Sequence, residues 1–217
     1  AQFAPLAITD NGLVRFAQGN NASYAGLLSG TGGIEKTGAG RLTLTRNQAI
    51  TGVTTISAGT LELGNGGTTG MVGGPIIDNA ALVVNRSNAV AFAAPISGSG
   101  SVTQLGSGTT TFTADHVYTG GTTIAAGTLQ LGDGGTSGSV VGDIVDNAVL
   151  VANRSNTLAL AGAISGSGAL RQVGSGTTVL SGANSYGGAT TVSAGTLKAG
   201  AANAFSATSA HSVSAGA

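Results

Sequence analysis

The chain has 217 residues, 39 of them glycine, with eight basic and eight acidic side chains, three prolines and no cysteine or tryptophan. A formal charge of zero leaves no electrostatic footprint for nucleic acid or an anionic membrane, and the lack of cysteine excludes a disulfide framework and thiolate metal sites. At 41% hydrophobic the sequence is too apolar for a disordered chain, yet only 4% is aromatic, so its core should be thin and aliphatic.

No run of about 18 apolar residues is present to span a bilayer as a helix. The opening "AQFAPLAITDNG" lacks the basic and apolar regions of a signal peptide, and both ends read as cut from something longer. Along the chain, "GRLTLT" (40–45), "GTLELG" (59–64), "AVAFA" (89–93), "TTTFT" (109–113) and "TTVLS" (177–181) alternate with period two. Their threonine, valine and leucine content predicts short strands closed by glycine, asparagine or serine. No window shows the 3.6-residue apolar spacing of an amphipathic helix.

Self-comparison gives one dominant period of 68 residues, opened by Ile56, Ile124 and Val192; segments 56–123 and 124–191 share 40 identities without a gap. Residues 1–55 fit the register loosely and 192–217 begin a further unit, so the whole chain reads as one array. Sixty-eight residues suit three solenoid coils of about 22 to 23 residues, giving nine to ten coils in all at about 4.8 Å per coil. The predicted fold is an all-β parallel β-helix. On three-coil units, identical residues such as Asn85 and Asn153 lie about 14 Å apart and cannot touch. Contacts between neighbouring coils must then come from the loosely similar phrases inside one unit, the "TLEL" type and the "LVVN" type.

Segments 32–64, 100–132 and 168–200 follow one pattern: glycine, an apolar residue, a polar patch, "GxG", a strand, a turn, "TT" and "xAGTLxxG". The clearest copy is "GGIEKTGAGRLTLTRNQAITGVTTISAGTLELG"; the other two replace its lysine with Gln104 and Gln172. The pattern resembles the passenger-associated transport repeat, also called the autotransporter-associated β-strand repeat. The resemblance implies a right-handed β-helix in the passenger of a bacterial autotransporter, exported through its own C-terminal outer-membrane β-barrel and displayed at the cell surface or secreted. No such barrel lies within this sequence.

Candidate sites are few, and the sequence assigns no catalytic, cofactor-binding or metal-binding residue. Thr43, Thr45, Thr109, Thr111 and Thr113 suggest hydroxyl rows, but the rows lapse at Val179 and Ser181, so they read as outward strand positions. Asp10, Asp78 and Asp146 recur before asparagine, as in an Asx turn, whereas Glu35, Glu62, Asp115, Asp133 and Asp143 do not recur as acids. That scatter argues against the converging carboxylates of a polysaccharide-cleaving β-helix. His116 gives way to Asn184 in the next unit, so it reads as a solvated turn histidine, as does His211. "LGDGGTSG" (131–138) has only a faint likeness to calcium-binding repeats, and calcium is not expected. Arg86 and Arg154 form a repeated basic pair expected on one side of the helix. They suit packing over a turn or pairing with an aspartate better than contact with an anionic glycan. Tyr118 and Tyr186, with Ile50 at the matching place, suit corner cover.

The function expected is that of a structural stalk that folds stepwise during export and contributes to adhesion or self-association. Host surface or matrix ligands are the expected partners besides the barrel. The competing classes are a polysaccharide-acting enzyme and a specific glycan or matrix adhesin.

Overall fold

A computed structural model describes residues 2–214. Its strands are two to four residues long and every pairing is parallel. Parallel neighbours cannot be joined by tight hairpins, so the chain must travel around a closed path before returning to the same side. It does so in a β-solenoid of about ten turns, with no helix among the described residues.

Each coil visits three faces. The first is an eight-stranded sheet running from Ala22–Tyr24 to Ile164–Ser165. The second carries Ile8–Thr9, Leu28–Gly30 and Ala49–Ile50, then seven strands from Val90–Phe92 to His211–Val213. The third carries five strands from Leu13–Phe16 to Ile96–Ser97, then Thr157–Leu160, Thr177–Leu180 and Thr196–Ala199. The second and third faces are interrupted where the glycine-rich segments 64–70 and 132–138 leave the coil; the bridges Asn47–Met71 and Asp115–Ser139 span these interruptions.

Partners on the first face are 19 to 22 residues apart, as in Leu42–Leu61, Leu61–Leu82, Leu82–Val102 and Thr122–Ile144. The pairing of loosely similar phrases expected from the sequence is present: Thr60–Leu63 ("TLEL") lies against Ala81–Val84 ("ALVV"), and Thr128–Leu131 against Val149–Ala152.

The coil is shorter than the expected 22 to 23 residues, and this changes the geometry of the repeat. Thr54–Ile56 sits on the third face, its copy Thr122–Ile124 on the first, and the next copy Thr190–Val192 on the second. Thr60–Leu63, Thr128–Leu131 and Thr196–Ala199 step likewise from first to second to third. A 68-residue unit thus spans three coils and one further face, so successive copies are turned by a third of a revolution and displaced by about 16 Å. Asn85 and Asn153 do not touch, as expected, but they also occupy different sides.

Inward positions form files along the axis. Leu42, Leu61, Leu82 and Val102 stack on one register line and Leu44, Leu63 and Val84 on the next, all nearly or fully buried. The core is one aliphatic column with a few aromatic contacts, such as Phe92 with Phe112 at 5.7 Å between ring centres. A column one coil wide buries each apolar side chain between the coil below and the coil above, so burial is completed coil by coil.

Candidate functional site

The polar residues that the repeat carries inward are corner fittings. Lys36, fully buried, points its Nζ at the carbonyls of Gly38 and Ala58. Gln104 donates from Nε2 to Gly106 O at 2.7 Å and Gly108 O at 3.3 Å while its Oε1 accepts from Thr110 at 2.6 Å. Gln172 repeats that arrangement with Gly174, Gly176 and Thr178. The "GxG" turn exposes carbonyls toward the interior, and a buried carbonyl needs a donor. Lysine and glutamine both reach, which explains why the motif tolerates the exchange. Burial holds the Lys36 ammonium below the usual lysine range.

Asp78 and Asp146 accept from the N–H two residues on, Ala80 and Ala148, each at 3.0 Å; Asp10 does so from Gly12 at 2.8 Å. The expected Asx geometry is present, but the carboxylates are turned into the protein and their Oδ2 atoms lack hydrogen-bond partners. Each lies under a glycine of the next coil: a Cβ on Gly100 would stand 2.4 Å from the Asp78 carboxylate, and one on Gly168 2.2 Å from Asp146. Desolvation pushes Asp78 and Asp146 up to about 6, against the lowering effect of the Ala80 and Leu82 or Ala148 and Leu150 amides. One unit apart and a third of a turn around, the three aspartates do not converge.

His116 corrects the sequence reading. It is fully buried, not solvated, and its Nδ1 accepts from Ile96 N at 2.9 Å while Nε2 lacks a partner. At the equivalent positions Gln48 Oε1 accepts from Leu28 N and Asn184 Oδ1 from Ile164 N, each at 2.7 Å. Three unlike side chains share one task, accepting the first N–H of a strand one coil back. The sequence hid this because the shared property is an acceptor at the right reach, not residue identity. Desolvation pulls His116 down to about 4, against the raising effect of Asp115. His211 is exposed, beside Phe205.

Tyr118 and Tyr186 are also fully buried, their hydroxyls bonded to Thr122 at 2.6 Å and Thr190 at 2.7 Å. In the first unit Ile50 offers no hydroxyl, and the buried Thr54 Oγ1 is left without a partner.

Arg86 and Arg154 are buried pins. Arg86 bonds Asn88 Oδ1 through Nε at 3.1 Å, Asn47 Oδ1 and Gly70 O through Nη1 at 3.0 and 3.2 Å, and Thr68 O through Nη2. Arg154 repeats this with Asn156, Asp115, Gly138 and Thr136, its Nη1 lying 3.5 Å from Asp115. Each therefore holds a glycine-rich excursion, 64–70 or 132–138, onto the coil. Gly70 and Gly138 close these excursions at φ of +104° and +101°, a backbone region that side chains with a Cβ avoid. The pair does not lie on one side as expected, because the units are rotated: Arg86 follows a first-face strand and Arg154 a second-face strand.

Of the other acids, Glu35 pairs with Arg15 at 2.6 Å, Asp133 Oδ1 accepts from Gly135 N at 3.2 Å, and Asp143 Oδ1 from Ala163 N at 2.8 Å. Glu62 differs. It lies on the first face with a side chain only 7% exposed, accepting from Arg41 Nη1 at 3.2 Å, Thr43 Oγ1 at 3.1 Å and Asn85 Nδ2 at 2.7 Å. Asn21, Ala22, Ser23, Arg41, Thr43 and Glu62 line a shallow hollow of about 290 Å³. Sequence reading passed over this group because it recurs in no other unit. Among the described residues, no three histidines or acids gather as a metal site.

Three-sided coils fastened by buried corner residues define a repeat-built β-solenoid. Residues 34–63, 102–131 and 170–199 match the model of the Passenger-associated-transport-repeat family, inside the three segments singled out by sequence, and the chain is a stretch of an autotransporter passenger built on that repeat. It is 38% identical over 170 residues to the Adhesin BmaC autotransporter of Brucella suis biovar 1 (strain 1330), an alignment covering 69% of this chain and 5% of that protein. The chain thus spans about a twentieth of that relative's length. No solved structure matches it.

Proposed function

We propose that the chain is a stalk segment of a surface-displayed passenger, and that its coil-by-coil closure assists its own passage across the outer membrane. The observation that carries this is the locality of its bonding. Among the described residues, the side-chain hydrogen bonds named above that cross between coils join residues 16 to 23 apart, except those of the Arg86 and Arg154 pins to Asn47 and Asp115, which reach 39 residues. A coil emerging from a pore finds its partners in the coil that emerged just before it. Each docking step buries aliphatic surface and pairs a strand edge, which favours the outward position without a nucleotide-driven motor. Zero net charge and the absence of cysteine leave neither a strong field nor a cross-link to impede an unfolded chain.

The name of the Brucella suis relative, an adhesin, supports a binding role rather than catalysis. In this reading the barrel that delivers the passenger lies elsewhere in the polypeptide, and the mature chain is exposed at the bacterial surface or released.

The test uses the full-length protein in its bacterium. Gly100→Val places side-chain atoms against the Asp78 carboxylate and should block docking of one coil; the expected result is a clear loss of protease-accessible surface protein, with Thr123→Val on the outer face as the unaffected control. Undiminished display of Gly100→Val would remove the transport role.

A further inference from the structure

We propose that the first-face hollow around Arg41 and Glu62 is a binding site for a neutral saccharide. It goes beyond the stalk reading, which makes no use of these side chains. The units of this chain supply an internal comparison. At the positions of Arg41, Thr43 and Glu62, the second unit has Thr109, Thr111 and Gln130, and the third Thr177, Val179 and Lys198. Gln130 turns back to cap Gly132 O at 2.8 Å. The fold is therefore built at these positions without a guanidinium–carboxylate pair, and the pair in the first unit is an addition to what the coil needs.

The added groups are arranged for recognition. Glu62 is nearly buried and held by three donors, one from each of Arg41, Thr43 and Asn85. A carboxylate offers about four acceptor directions, so one remains for a ligand hydroxyl. Arg41 spends one guanidinium donor on Glu62 and keeps 45% of its side chain exposed, leaving most of its five N–H groups for acceptors above the sheet. Thr43 and Ser23 add short hydroxyls on adjacent strands that are paired residue to residue, and Asn21 stands at the rim with its Oδ1 on Arg41 N at 2.9 Å. Every group sits on or beside a strand of the rigid face, so little ordering is required on binding.

The chemistry of the hollow selects the ligand class. One positive and one negative group cancel, so no net attraction for an anion exists, and the buried carboxylate opposes a second one. Alternating donors and acceptors over a shallow surface suit vicinal hydroxyls. The volume of about 290 Å³ suits one or two sugar rings. With no aromatic side chain lining the hollow, affinity should be weak, with Kd on the order of 1 mM.

Saturation-transfer NMR on the 217-residue chain with lactose and with tri-N-acetylchitotriose tests this. At least one should give transfer that saturates with concentration and falls at least tenfold in affinity in Arg41→Thr and in Glu62→Gln. Both substitutions install residues that the second unit already carries, and unchanged thermal midpoints would show the coil intact. No transfer to either sugar at 10-fold the expected Kd, or equal transfer in the variants, overturns the site. Tighter binding of tri-galacturonate than of both neutral sugars overturns the assignment to a neutral ligand. All of these outcomes leave the stalk reading standing, since surface display does not depend on the hollow.

Discussion

At the scale of single residues, the inward polar positions are conserved in function across the units of this chain while their identities drift. Lys36 and Gln104 illustrate it: both donate to turn carbonyls, but Gln104 also relies on Thr110 to satisfy its Oε1 where the first unit has the buried Leu42. Lys36→Gln alone, like Lys36→Met, should therefore cost about 1 to 3 kcal/mol in urea denaturation, and adding Leu42→Thr to Lys36→Gln should recover part of that loss. The buried aspartates predict an unusual pH response. Asp78 and Asp146 titrate at about 6 in the folded chain against 3.8 for the free side chain, so between those values the folded state holds protons that the unfolded state has released. Their contribution is fully present below about pH 4 and is lost as pH rises through 6. His116, lowered from 6.5 to about 4, opposes them: its contribution is full above 6.5 and lost as pH falls toward 4. Two aspartates against one histidine give a urea midpoint higher at pH 5 than at pH 7.5, and Asp78→Asn with Asp146→Asn should reverse that trend, leaving the fall toward pH 5 that His116 alone imposes. A midpoint that falls from pH 7.5 to pH 5 in the parent chain would contradict this. The sequence displayed the aspartates as an Asx signature but not their burial, because the glycine that makes room for each lies one coil later.

At the scale of elements, period-two alternation marked the strands, and the "TLEL" against "LVVN" pairing followed from reading the loosely similar phrases of one unit as neighbours. The coil length was not legible in the same way. Self-comparison detects residues that are alike, whereas stacking joins residues that differ, so the 68-residue period masked a coil of 19 to 22 residues. The misplacement of Arg86 and Arg154 on one side follows from that single difference. The hollow at Arg41 and Glu62 was invisible for the opposite reason, since it exists only in one unit. Gly168, whose added Cβ would stand 2.2 Å from Asp146, provides a check at this scale. Gly168→Ala should cost about 1 to 3 kcal/mol through overpacking, measured by urea denaturation, while Ala169→Ser on the more open adjacent position should cost little.

At the scale of the molecule, about ten coils make a rod on the order of 48 Å long. Because each unit advances by a third of a turn, the repeat motifs wind around the rod and the first and fourth units of a longer array would face the same way. Features borne by every unit are thus spread over all three faces, and a feature confined to one unit, such as the Arg41–Glu62 hollow, marks one direction. A rod held together by neighbour-to-neighbour bonding should also come apart in sequence. The most direct test is to pull the 217-residue chain by its ends in an optical trap. The structure predicts a series of releases, each lengthening the chain by about one coil, or roughly 70 Å for some 20 residues. A single event releasing the whole chain at once would contradict coil-by-coil folding and, with it, the proposed part of this segment in export.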